Sequence, residues 1–173
     1  MAWPWSLLAC VISDINMRFL MLISAVLVFL VDQASKVLVV FYLDLETIGH
    51  MDVFPPFLNF SMAWNYGVNF GLFSSSDGVQ RWILTGFAVF VSTAIVIWMQ
   101  REPPSRVGHI SAGLLIGGAL GNAFDRVVYG AVADFLNMSC CGFDNPYAFN
   151  VADIAIFSGA IGLAFFSSPK DSV

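Results

Sequence analysis

The sequence predicts a polytopic α-helical membrane protein, with four transmembrane helices and a small extracytoplasmic cap that contains β-structure. Hydrophobic residues make up 58% of the 173 residues and charged residues only 11%, well below the charge content of soluble domains. A soluble domain of this size could not bury so much apolar surface. Several segments also approach the ~20 apolar residues that a helix needs to cross a bilayer.

The four predicted spans cover residues 19–41, 82–99, 108–128 and 147–166. The second span has Trp82 and Trp98 near its ends, as expected for aromatic residues at the two membrane interfaces. We expect a single four-helix domain over residues 18–168. An N-terminal extension, 1–17, precedes it, and a short tail, 169–173, follows it.

The distribution of basic residues predicts that both termini lie in the cytoplasm. In a four-span chain, the ends and the loop on the side of the termini carry Arg18, Arg101, Arg106 and Lys170. The opposite loops are mostly acidic, with Arg81 as their clear basic residue. Because positively charged residues favour the cytoplasmic side, we expect the two longer loops to be extracytoplasmic.

The first of these longer loops predicts a β-strand. Large apolar residues alternate over residues 58–65, a pattern typical of a half-buried strand. Gly67 marks its end, and Asn65 either stabilises a tight turn there or faces a peptide backbone. The stretch 70–73 is predicted to be a short interfacial helix or turn. This first loop and the 129–146 loop are together expected to form a cap over the outer ends of the helices.

Three aspartates lie inside the apolar segments, namely Asp32, Asp125 and Asp153. A charge in the bilayer costs at least a few kcal/mol, so an intramembrane acid is by default a functional hypothesis. Counted from the cytoplasmic ends of their helices, the acids lie about 21, 25 and 21 Å into the membrane. We therefore predict that they meet at one level in its outer third.

Asp125 and Asp153 are the predicted catalytic pair, because each follows an asparagine, Asn122 or Asn150, by three residues. Residues three apart share a helix face, so each amide can hold its own carboxylate. Two nearby carboxylates in a low dielectric share a proton. The ionised member can then activate water while the protonated member polarises a peptide carbonyl. Alternatively, Asp125 only pairs with a buried cation.

Other polar residues leave two interpretations open. Asp32 and Lys36 are four residues apart, a favourable helical ion pair, which either ties the first helix to the polar site or contacts substrate. Asp134 is either an ordinary loop acid or a clamp for Arg126.

Several other kinds of chemistry lack the residues they need. The net charge of −5 is unfavourable for binding nucleic acid. His50 and His109 are predicted on opposite sides of the membrane, so a metal or serine–histidine site is not expected, and no cofactor is predicted. Cys10, Cys140 and Cys141 are interpreted as small hydrophobic residues.

Two further classes compete with a peptidase. One is a proton-coupled transporter, with the three acids as a relay. A relay should spread its carboxylates across the membrane, whereas these are predicted at one level. The other is a structural membrane protein whose acids only pair with cations.

With these features the chain resembles the bacterial lipoprotein signal peptidase family, also called signal peptidase II. The resemblance covers about residues 19–165 and rests on five motifs in order: Asp32-Gln33-x-x-Lys36; Asn65-x-Gly67 followed by Phe70; Gly117-Gly118-Ala119-Leu120-Gly121-Asn122-x-x-Asp125-Arg126; Val132-x-Asp134-Phe135; and Phe149-Asn150-Val151-Ala152-Asp153. Asn69 and Ile154 depart from the residues that are usual in the family.

The resemblance implies an aspartic endopeptidase of the bacterial inner membrane. It would remove signal peptides from diacylglyceryl-modified prolipoproteins, just before the lipidated cysteine, with its active site near the outer face. The family's catalytic aspartates correspond here to Asp125 and Asp153. The remaining motif residues would shape the site or contact substrate, membrane lipid or globomycin-like inhibitors; they are Asp32, Lys36, Asn65, Gly67, Asn122, Arg126, Asp134 and Asn150. A monomer suffices for this chemistry.

Overall fold

The protein was analysed as a computed structural model, which describes residues 4–67, 78–101, 105–140, 142 and 145–166, with side chains from residue 15 onward. Its helices are α1 (Pro4–Lys36, continued by a π-helical stretch, Val37–Tyr42), α2 (Leu45–Ile48), α3 (Val79–Arg101), α4 (Arg106–Val128) and α5 (Val151–Phe166). In the described part of the chain, Ile15–Tyr42, α3 and α4 are long and apolar enough to cross a membrane, and α5 is a shorter apolar helix of 16 residues.

The predicted spans agree with α3 and α4 within three residues and differ at two other helix starts. Helix α1 begins at Pro4, so the predicted N-terminal extension is helical from there and continues into the first span. Helix α5 begins at Val151 and not at residue 147, because Asn150 caps it. The Asn150 Oδ1 atom accepts from the Asp153 backbone N–H at 2.9 Å, and Asp153 Oδ2 accepts from the Asn150 N–H at 3.2 Å, a reciprocal capping arrangement.

Helix α4 is the central helix of the bundle and packs against α1, α3 and α5. Its contact with α1 is made through Gly113 and Gly117. A Cβ atom at either position would collide with the α1 backbone at Met21 or Ala25. Small residues spaced in this way let membrane helices approach closely. The close packing brings polar side chains of α1 within bonding distance of α4.

A three-stranded antiparallel sheet covers one end of the bundle, with strand order β1-β2-β3. The strands are β1 (His50–Phe54), β2 (Leu58–Asn65) and β3 (Val132–Met138). Strand β2 confirms the prediction for residues 58–65. Strand β3 was not predicted, because it is buried at nearly every position and therefore lacks the alternation of a half-buried strand.

The sheet is joined to the helices by a small apolar core. Val39, Val40 and Leu45, from the end of the first span and from α2, pack with Ala133 and Phe135 of β3. This contact holds β3 over the ends of the helices. It thereby also positions Asp134, which lies between Ala133 and Phe135.

Cys140, just after β3, is disulfide-bonded. The interpretation of the three cysteines as small hydrophobic residues is therefore wrong for Cys140. Apolar neighbours in the sequence do not show whether a thiol is oxidised. The predicted interfacial segment 70–73 lies outside the described residues.

Candidate active site

The polar residues of four elements meet where the sheet covers the helix ends. Asp32 lies near the end of α1, Asp125 in the last turn of α4, Asp153 in the first turn of α5 and Asp134 in β3. Direct bonds join the elements: the Ala152 N–H donates to Asp32 Oδ1 at 2.9 Å. The three intramembrane acids are thus brought together, as their matched depths predict.

The first of two polar clusters is an ion-pair triad of Asp32, Lys36 and Asp125. The Lys36 Nζ atom lies 2.7 Å from Asp32 Oδ2 and 2.8 Å from Asp125 Oδ2, and both carboxylates are 0% exposed. Buried charges are tolerated when they are paired and hydrogen-bonded. Asp125 thus has Lys36 as a buried cation, a pairing that is compatible with either interpretation of Asp125.

Two further donors complete the surroundings of Asp125. The Gln33 Nε2 atom donates to Asp125 Oδ1 at 2.9 Å and to Asp32 Oδ2 at 3.1 Å. The backbone N–H of Ala133 donates to Asp125 Oδ2 at 3.2 Å. Gln33 was not among the predicted site residues. Its position could have indicated a role, because it is an amide next to Asp32 in an apolar span. Asp125 is therefore enclosed by one ammonium, one amide and one backbone N–H.

The second cluster is an amide network around Asp134 and Asp153, in which Asn150 touches both acids. The Asn150 Nδ2 atom donates to Asp134 Oδ1 at 2.6 Å, and its backbone N–H donates to Asp153 Oδ2 at 3.2 Å. Asn122 Nδ2 donates to Asp153 Oδ1 at 2.8 Å, and Asn65 Nδ2 donates to Asp134 Oδ2 at 3.0 Å. Neither acid forms a salt bridge with a described residue.

The electrostatics of the amide network differ from those of the triad. Burial, as the largest cause, and the negative charge of Asp153 together raise the pKa of Asp134 to about 7, while hydrogen bonds from Asn65 and Asn150 oppose the shift. Near neutral pH, Asp134 can therefore hold a proton beside the carboxylate of Asp153. Asp153 is half-buried, so the network reaches the surface of the protein, whereas the triad does not.

Arg126 adds positive charge at the edge of the amide network. Its guanidinium interacts electrostatically with Asp134, Asp153 and Asp125, and its Nη1 donates to the carbonyl oxygen of Asn122 at 3.2 Å. Its buried Nε atom has no hydrogen-bond partner among the described residues. The structure thus shows Asp134 as a buried strand residue and not as an ordinary loop acid, with Arg126 nearby but not in a direct ion pair with it.

These contacts revise the prediction for Asn122 and show the turn that was one interpretation of Asn65. Asn122 was expected to hold Asp125, one turn along its own helix, but it reaches across to Asp153 on α5. Asn65 forms a turn, because its Oδ1 atom accepts from the Gly67 backbone N–H at 3.1 Å, and it also donates to Asp134. Both side chains therefore serve the amide network.

Membrane-length helices, a sheet cap and a cluster of buried aspartates define a polytopic membrane protein with an aspartate-based site. Residues 24–168 match the family model of signal peptidase (SPase) II. The match spans most of the chain, so the protein belongs to the signal peptidase II family and is an aspartic-type peptidase of a bacterial membrane. This confirms the family, the fold class and the type of enzyme that the motifs predict.

Individual relatives agree with the family match. The chain is 41% identical over 150 residues to a lipoprotein signal peptidase of Methylobacterium radiotolerans, covering 87% of this chain and 86% of the relative. It is 42% identical over 132 residues to one of Methylorubrum extorquens, covering 76% and 75%. A solved bacterial membrane enzyme superposes with a TM-score of 0.67 at 29% identity, over 84% of this chain and 90% of the other.

Proposed function

We propose that this protein removes the signal peptide from diacylglyceryl-modified prolipoproteins, cleaving just before the lipidated cysteine. Membership of the signal peptidase II family and the similarity to relatives named lipoprotein signal peptidases support this substrate class. The mechanism rests on one observation, a bridge that joins the two acids. Lys36 Nζ lies 2.8 Å from Asp125 Oδ2 and donates to Asn122 Oδ1 at 3.3 Å, and Asn122 Nδ2 donates to Asp153 Oδ1 at 2.8 Å.

In the proposed mechanism Asp125 and Asp153 share one proton. The ionised member of the pair takes a proton from a water molecule whose oxygen attacks the scissile carbonyl carbon. The protonated member donates a hydrogen bond to the carbonyl oxygen and stabilises the charge that develops there. When the tetrahedral intermediate collapses, the first acid returns its proton to the leaving amine. The chemistry follows that of two carboxylates sharing one proton.

Asp134 is assigned a positioning role in this proposal. Its two carboxylate oxygens already accept from Asn150 and Asn65, and it is buried in β3. Through Asn150, which also contacts Asp153, it holds the amide network in place. The ion pair of Asp125 with Lys36 holds α4 to α1.

Substrate contact is assigned to groups at the rim of the amide network. Arg126 is half-buried, and its Nε atom lacks a hydrogen-bond partner among the described residues. A guanidinium presents several donors in a fixed plane, so it can bind peptide carbonyl oxygens of the precursor. Globomycin-like inhibitors, implied by the family resemblance, would compete for the same position.

The proposed setting is the inner membrane, with both termini in the cytoplasm and the site near the outer face. The basic residues at the ends opposite the sheet support this orientation. The disulfide at Cys140 supports it independently, because disulfides persist in oxidising compartments such as the periplasm. Near the outer face, the active site can reach both the peptide bond next to a lipid-anchored cysteine and water. A monomer suffices, since the described chain supplies both acids.

The direct test uses purified protein in lipid with a fluorescent precursor peptide that carries diacylglyceryl-cysteine. We expect cleavage before the modified cysteine, read as a mobility shift on a gel and located by mass spectrometry. The same peptide with unmodified cysteine is the matched control and should remain intact. Equal cleavage of both peptides, or cleavage at another bond, would contradict the proposed substrate.

A further inference from the structure

A cavity of about 330 Å³ lies at the end of the bundle opposite the carboxylates. It is lined by Asn16, Met17, Phe19 and Leu20 of α1 and by Arg106 of α4. Leu20 is 12 residues before Asp32, about 18 Å along the helix. The cavity is therefore separate from the candidate active site and takes no part in the proposed mechanism.

The lining combines two kinds of surface. Arg106 and Asn16 supply hydrogen-bond donors, and no acid is among the described lining residues. Arg106 is also the first residue of α4, where the helix dipole adds partial positive charge. Met17, Phe19 and Leu20 form an apolar wall. A ligand that suits this cavity has an anionic group at one end and an apolar body next to it.

The apolar wall continues beyond the cavity along the surface of α1. Phe19 is 58% exposed, Leu22 57% and Val26 47%, within a helix segment suited to crossing a membrane. A volume of 330 Å³ cannot enclose a whole diacyl lipid, but it can hold a headgroup whose chains extend along this surface. Basic pockets between transmembrane helices are a known mode of binding anionic lipid headgroups.

We propose that this cavity binds the phosphate-bearing headgroup of an anionic membrane phospholipid. Arg106 and Asn16 donate to the phosphate oxygens, and the acyl chains run along α1 past Phe19 and Leu22. Bound in this way, the lipid joins the start of α4 to α1 at the end of the bundle that lacks the ion-pair triad.

The test is native mass spectrometry of the full chain in detergent, with phosphatidylglycerol or phosphatidylcholine added at equal mole ratios. Wild type should retain phosphatidylglycerol, and Arg106→Gln should retain about fivefold less, as expected for one arginine near a lipid phosphate. Arg101→Gln is the matched control, because Arg101 is an exposed arginine outside the cavity lining, and it should bind as wild type does. Retained cleavage of the lipidated precursor shows that each variant is folded.

Four results would overturn the proposal. Three are equal retention of phosphatidylglycerol by wild type and Arg106→Gln, an equal fall in Arg101→Gln, and equal retention of phosphatidylcholine by wild type. The fourth is displacement by soluble glycerol phosphate, because the ligand would then be a free phosphate ester. If Arg106→Gln fails to fold, Asn16→Leu tests the same contact, and it too should retain less phosphatidylglycerol.

Discussion

The ion-pair triad and the amide network each hold two aspartates at the same end of the bundle, yet their partners differ. In the triad, Lys36 Nζ lies within 2.8 Å of both Asp32 and Asp125. In the network, Asp134 and Asp153 are bonded by neutral amides and backbone N–H groups. The triad holds Asp125 through an ammonium, whereas the network holds Asp153 through neutral amides. The two proposed catalytic acids therefore come from clusters of different chemistry.

The two clusters also join different parts of the fold. The triad links α1 to α4, deep between helices that pack through glycines. The network links β2, β3, α4 and α5 at the boundary between the helices and the sheet. Loss of Lys36 should therefore mainly lower the stability of the fold, loss of Asp153 should mainly lower activity, and loss of Asp125 should lower both.

The largest effect is expected for Asp153→Asn, which removes one of the two proposed catalytic acids while keeping a side chain of the same size. Cleavage of the lipidated precursor should fall by about 10²–10⁴-fold, the usual contribution of a positioned acid or base. The unfolding temperature in detergent should change little. A folded variant that cleaves at the wild-type rate would remove Asp153 from the mechanism.

Lys36→Met should be the most destabilising change in the triad. It leaves Asp32 and Asp125 buried without a cation, which costs about 3–5 kcal/mol in comparable buried pairs. Denaturant unfolding in micelles measures the loss. The double variant Lys36→Met/Asp125→Asn should recover part of it, because one buried charge is removed. Wild-type stability of the single variant would argue against a buried ion pair.

Stability should depend on pH through Asp134. Its pKa rises from the ordinary value of 3.8 to about 7 on folding, so the folded state keeps a proton that the unfolded state has released. The stabilisation is complete below about pH 4 and is lost as the pH rises through 7, by up to ~1.4 kcal/mol per pH unit. Asp134→Asn should flatten the unfolding free energy between about pH 4 and 7. Parallel pH profiles for both proteins would contradict the assignment.

The smallest effect is expected for Asn65→Leu, which tunes the amide network without removing an acid. The hydrogen bond from Asn65 lowers the pKa of Asp134, so its loss should extend the pH range over which the folded state keeps that proton, and the fall in unfolding free energy should end at a higher pH. Asn59→Leu on the same strand is the control, because the side-chain oxygen of Asn59 has no described partner. A shift of equal size in both variants would show that this pH dependence does not report on Asp134.

Much of the architecture could be predicted because its signals are local. Hydropathy located α3 and α4 within three residues, and alternation located β2. The helical rise placed Asp32, Asp125 and Asp153 at one level before any contact was known. Each of these predictions depends only on the sequence of one element.

The side-chain contacts around the acids could not be predicted, because they depend on packing between elements. Spacing suggested that Asn122 serves Asp125, but helix packing turns its amide toward Asp153. Burial of β3 on both faces removed the alternation that would have identified a strand. Asp134 therefore resembled a loop residue, although it lies in the sheet beside Asp153.

The most direct test compares Asp125→Asn with Asp134→Asn in one cleavage assay, with rates corrected for the folded fraction of each protein. We predict that the folded fraction of Asp125→Asn loses cleavage to the same extent as Asp153→Asn. Asp134→Asn should fold and still cleave the lipidated precursor, because Asp134 positions Asn150 and does not react. The opposite result, in which the folded fraction of Asp125→Asn cleaves and Asp134→Asn does not, would contradict the account and make Asp134 the catalytic partner of Asp153.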